Sequence, residues 1–123
     1  MICISVVPAN NEEALSLRVP VIPPHCRHNG HIFHVLFETE EKRDAALDAL
    51  RRAGIGASFH YIPLHSSRAG KACSKSPAAG LPVTDSAAVR LLRLPVAPGR
   101  PDPGKIMDVL FSTRGGARET RRR

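Results

Sequence analysis

The 123-residue sequence predicts a small α+β layer, a short and mainly antiparallel sheet with helices on one face. Three observations lead there. "HIFHVLFET" (residues 31–39) reads as a strand, because its side chains alternate and apolar groups fall on both sides. A helical stripe of Ala46, Leu47, Leu50 and Ala53 follows directly. "IGASFHYIP" then alternates as a second strand and is stopped by Pro63.

In chain order, residues 1–24 are an irregular lead-in, where "EEALSL" has the makings of a short helix and the prolines of "RVPVIPP" impose extended backbone. A compact domain is expected over 25–112. Ile32, His34 and Leu36 should face one side of the first strand, and His31, Phe33, Val35 and Phe37 the other, so a strand covered on both faces is predicted. Thr39 fits the N-cap of the following helix, with Glu40 and Glu41 in the first turn, where negative charge meets the helix dipole favourably. Asp48 and Arg52 have the spacing to pair outside, and Gly54 ends the helix. Residues 64–82 read as one long polar loop, a length that usually signals function or mobility. "TDSAAVRLLRL" is expected to be helical, capped by Thr84 or Asp85, with Ala88, Leu91 and Leu92 inward. Asp102 and Pro103 open a last helix that buries Ile106, Val109 and Leu110.

Composition bounds the function. One core fits this length, and only four Phe and one Tyr are available to fill it. Three widely spaced cysteines without a CxxC pair argue for a reducing compartment. The apolar run in "MICISVVPAN" is too short for a signal peptide or a membrane span, so a cytoplasmic protein is expected. Of the net charge of +7, the final "RGGARETRRR" supplies +4, from five Arg less one Glu. Residues 113–123 are therefore expected to be a basic, disordered tail. Nucleic acid is an unlikely partner, since no aromatic residue is interleaved to stack on bases. No GxSxG elbow, Walker A loop or HExxH is present, and none of the four lysines has the apolar setting that Schiff-base chemistry needs.

"HCRHNGHIFH" places His25, His28, His31 and His34 three apart, a spacing that would converge on a metal only from one helix face. Pro23 and Pro24 before it and Asn29-Gly30 within it prevent a helix, and on a strand His31 and His34 point apart. Polar groups at a loop-to-strand entrance are the expectation, and no metal site is assigned.

Residues 53–70, "AGIGASFHYIPLHSSRAG", together with "HNGHIF" and "LPVTDSAAVRLLRLPV", resemble the C-terminal part of the DegT/DnrJ/EryC1/StrS sugar aminotransferases. The resemblance covers roughly residues 10–99. Its wording is most similar to the members that aminate dTDP-4-keto-6-deoxyglucose with glutamate to give the dTDP-4-amino-4,6-dideoxygalactose product. It implies the small C-terminal domain of a fold-type I homodimer that uses pyridoxal 5'-phosphate. In that family the aldimine lysine belongs to a large domain that the resemblance does not include. The small domain closes over the cofactor and helps line the nucleotide-sugar pocket. The resemblance assigns His60, Tyr61, His65 and Ser66 to that pocket, with Asn29 and His31 beside them. His65 is the leading candidate for contact near cofactor and sugar.

What it implies for this chain is a fragment inactive alone, catalytic residues none, binding no cofactor by itself. It would pair with a PLP-binding large domain or a homodimer partner, and expose an apolar patch where that partner belongs. Both ends depart from the family wording, as a cut or shifted reading frame would. The competing readings are a small basic module that binds nucleotides or acidic polymers through the Arg-rich tail, and a zinc-binding module.

Overall fold

The computed structural model describes residues 15–75, 77, 79–96 and 102–113. The last ten residues of the expected tail and the first fourteen of the lead-in lie outside the described residues. The described chain is an α+β layer. Strands β1 (Leu17–Arg18), β2 (Phe33–Phe37), β3 (Ser58–Phe59) and β4 (Leu91–Leu94) form one antiparallel sheet in the order β1-β2-β4-β3. Helices α1 (Glu40–Arg52), α3 (Pro82–Arg90) and α4 (Pro103–Ser112) pack together with the sheet, while the short α2 (Arg68–Cys73) follows a 3-10 turn at Leu64–Ser66.

Helix α1 forms as its sequence requires. The Thr39 hydroxyl accepts from the Lys42 N–H at 3.3 Å, and Gly54, with φ +74°, takes the left-handed conformation that ends the helix at little cost. Ala46, Leu47 and Leu50 are buried against Val35, Leu92, Leu94, Ile106, Met107 and Leu110 in the core. Complete burial of a side chain such as Leu50 is worth about 1.5–3 kcal/mol. Arg43 is the buried exception among the described charged residues. Its Nε donates to the Val89 carbonyl at 2.9 Å, and its terminal nitrogens meet Glu40 at 3.3 Å and Asp44 at 3.0 Å. The guanidinium thus ties α1 to the end of α3. Asp48 and Arg52 are both exposed and do not pair.

Further expectations change. "RLLRL" is not helical. Helix α3 stops at Arg90, and Leu91–Leu94 becomes β4, which lies between β2 and β3. The cap of α3 is neither Thr84 nor Asp85. Leu81 stands there without a side-chain hydrogen bond, and Pro82 opens the helix. In the lead-in, Leu17–Arg18 pairs with Phe37 and Leu36, and Leu15 and Leu17 are core residues. Finally, β2 is fully covered on one face only: Phe33, Val35 and Phe37 are buried, whereas His34 and Leu36 are partly exposed. The register places Arg18, Leu36 and Leu91 in one row of this second face, and His34, Arg93 and Ser58 in the next.

The stretch 64–82 is more structured than its composition suggests. The Ser66 hydroxyl donates to the Pro63 carbonyl at 3.0 Å, and the Ser67 hydroxyl donates to Leu64 at 2.8 Å while accepting from Gly70 at 2.9 Å as the cap of α2. Gly70 is required there, because a Cβ would lie 1.6 Å from the Leu64 carbonyl oxygen.

Candidate functional site

The second face of the sheet carries a groove of about 360 Å³ lined by His28, Asn29, His31, Ile32, His34, His60 and Leu91. Backbone geometry assembles it. Cys26 closes a turn onto Pro23, Asn29 accepts from the His31 N–H at 3.1 Å, and Gly30 takes φ +69°. This turn leads His28 and His31 over the start of β2, whose His34 projects from the same face. From the other edge, the chain leaving β3 brings His60 in beside Leu91.

Each imidazole has a distinct setting. His28 Nδ1 accepts from the Gly30 N–H at 2.9 Å, so its hydrogen, when the ring is neutral, sits on Nε2. Burial lowers the pKa of His34, and the neighbouring His60 and His28 lower it further. The His60 Nδ1 is buried without a partner among the described residues, as is Arg93 Nε. The ring of His60 lies 5.1 Å from that of Tyr61, and the Arg93 guanidinium lies 5.8 Å above Tyr61. A neutral imidazole both donates and accepts, so the groove offers hydrogen bonds of both kinds to a hydroxylated ligand. No three of His, Cys, Asp and Glu converge as a metal would need among the described residues.

Of the sequence-derived site residues, Asn29, His31 and His60 come together at the groove, and Tyr61 stands next to His60 but is 72% exposed. His65 lies apart from them in a pair of its own, with Nε2 2.8 Å from Asp85 Oδ1. Ser66 spends its hydroxyl on the Pro63 carbonyl and is a turn residue here. His28 and His34 are additional groove residues. The one available signal for His34 was its place on the same strand face as Ile32. Beyond the groove, Tyr61, Ile62 and Leu64 are 72%, 67% and 72% exposed, an apolar run on the surface.

Pyridoxal phosphate is anchored through a lysine amine. Lys42, Lys71, Lys75 and Lys105 are all exposed, and none lines the groove. The residues of this chain do not fit that anchoring role.

Among solved structures, the chain is similar to a DegT DnrJ EryC1 StrS aminotransferase from Brucella abortus. The two share 29% identity at a TM-score of 0.64, over 89% of this chain and 29% of that one. It is similar to DesV of S. venezuelae, solved in complex with a ketimine intermediate, at 26% identity and TM-score 0.63, over 91% of this chain and 32% of that one. The aminotransferase TlmJ from Streptoalloteichus hindustanus shares the fold at TM-score 0.69 and 22% identity, over 87% of this chain and 29% of its own. The chain thus spans less than a third of the length of each of these structures. A model of the DegT/DnrJ/EryC1/StrS aminotransferase family matches residues 9–107, and the chain belongs to that family.

Proposed function

We propose that the chain is the small domain of a PLP-dependent nucleotide-sugar aminotransferase. It contributes contacts to the nucleotide sugar, and the cofactor is held by residues outside it. The family match over residues 9–107 carries this reading, and the imidazole-lined groove supports it. His60, Asn29 and His31, with His34 added, are the proposed sugar-side contacts, and Tyr61 and His65 extend the surface. The wording around "FHYIPLHSS" favours dTDP-4-keto-6-deoxyglucose as the keto sugar and glutamate as amino donor. By itself the chain has no catalytic lysine in place, so activity requires a PLP-binding large domain or a homodimer partner. The exposed Tyr61, Ile62 and Leu64 are a fitting place for that partner to pack.

A cytoplasmic location is consistent with the exposed free cysteines among the described residues, Cys26 and Cys73. It is also consistent with the absence, among the described residues, of any helix long and apolar enough to cross a membrane.

The test is binding and complementation together. A ¹⁵N-labelled chain titrated with a dTDP-sugar should show resonance changes at His31, His34 and His60. They should persist when residues 114–123 are deleted and vanish in His60→Ala. With PLP, glutamate and the keto sugar, turnover should appear only when a PLP-lysine domain is supplied. Salt-sensitive binding abolished by the tail deletion would instead make the chain a basic binding module.

A further inference from the structure

His65 is held from two sides. Its backbone belongs to the turn Leu64–Ser66, which the Ser66, Ser67 and Gly70 hydrogen bonds brace. Its ring is held by α3, where Asp85 Oδ1 lies 2.8 Å from Nε2, with the His65 side chain 17% exposed and that of Asp85 53% exposed. A carboxylate only accepts, so the hydrogen of this bond belongs to Nε2. In the neutral ring the other nitrogen then carries a lone pair and no hydrogen. Nδ1 has no hydrogen-bond partner among the described residues, and unlike His60 Nδ1 it is not sealed from solvent.

We propose that Asp85 is a positioning residue that locks His65 in the Nε2–H tautomer, so that His65 meets its ligand as an acceptor through Nδ1. This rests on the reading of His65 as a nucleotide-sugar contact and deepens it. The group His65 takes is then an O–H or N–H of the sugar, a hydroxyl or an amine. It is not the pyrophosphate, whose oxygens only accept. Specificity follows from the same geometry. A ligand lacking the donor leaves Nδ1 unsatisfied, while the nucleoside diphosphate part is indifferent to Asp85. The pairing spans twenty residues of sequence and joins the turn Leu64–Ser66 to α3.

The experiment is long-range ¹H–¹⁵N correlation on the full chain, in solution or as a solid if the chain self-associates. It reads directly which nitrogen of His65 is protonated. The expected result is a single Nε2–H tautomer in the neutral ring. A bare Nε2, or a ring averaging between both forms, overturns the proposal without any variant. Asp85→Ala, which removes the acceptor, should introduce the Nδ1–H form. It should weaken binding of a dTDP-sugar by about threefold to tenfold, the worth of one hydrogen bond, and leave dTDP itself unaffected. Equal losses for dTDP-sugar and dTDP, or an unchanged single tautomer in Asp85→Ala, overturn it. Asp85→Leu, which also lacks an acceptor, gives the same decision if the Ala variant does not fold. If the tautomer behaves as expected while no dTDP-sugar binds at all, the positioning role stands and the nucleotide-sugar reading fails.

Discussion

The two faces of the sheet are built from the same strands and have opposite characters. On the helix side, Phe33, Val35, Phe37, Leu92 and Leu94 are at most 6% exposed. On the other side, His34, Leu36, Leu91, Arg93 and Ser58 remain partly open. The first face is held by apolar burial, which is non-directional and tolerant of small shifts in geometry. The second has no such cover, and its polar groups interact by direction, through turns, rings and the Arg93 guanidinium over Tyr61. Stability is concentrated on one face, and recognition is free to occupy the other.

The largest expected effect breaks the packed face. Leu92→Ala removes a completely buried side chain from β4 and should cost about 2–5 kcal/mol in chemical denaturation. Leu91→Ala, one residue away on the open face, should cost well under half as much. Equal losses would show that both faces are load-carrying in solution and would erase the contrast. Gly70→Ala comes next. The added Cβ meets the Leu64 carbonyl oxygen at 1.6 Å, so the backbone must move. A loss of about 1–3 kcal/mol is expected, with amide exchange accelerated over 64–74 and not in α1.

Arg43→Met should follow, at about 1–3 kcal/mol, because it keeps the aliphatic packing but strands the Val89 carbonyl. Arg43→Lys should not restore it, since a single ammonium cannot reach Val89, Glu40 and Asp44 together.

The smallest effect belongs to the open face and is read through pH. Because burial, His60 and His28 lower the pKa of His34, the unfolded chain binds a proton there more readily than the folded one. Stability from this group is complete above the unfolded value near 6.5 and is lost as pH falls from there towards the folded value. The Tm of the wild-type chain should therefore drop between pH 7 and pH 5 more steeply than that of His34→Gln. Parallel Tm–pH curves would mean that His34 is hydrated like an exposed imidazole.

Much of this was legible residue by residue. Thr39, the Ala46–Leu47–Leu50 stripe and Gly54 define α1 through local chemistry alone, and Asp102, whose carboxylate accepts from Gly104 at 3.1 Å, opens α4 as its position before Pro103 implied. Leu91–Leu94 was not legible. Four residues of Leu-Leu-Arg-Leu satisfy a helical stripe and a strand alternation equally, and the choice falls to the partners, β2 and β3. Ser66 looked like a ligand donor and is consumed by its own turn, where its hydroxyl joins the Ser66 and Ser67 N–H groups on the Pro63 carbonyl three residues back. The partnership of His65 with Asp85 was invisible, since nothing local connects positions twenty apart.

By itself the sequence determined the class of fold, the two well-capped helices, a strand within residues 31–39 and, through its wording, the family. Each of these depends on interactions within a few residues or on inherited pattern. Only the tertiary structure decided that Leu91–Leu94 is a central strand, that one sheet face stays open, and which histidines share a groove. Those outcomes depend on contacts between segments far apart in the chain, where burial and strand pairing outweigh local propensity.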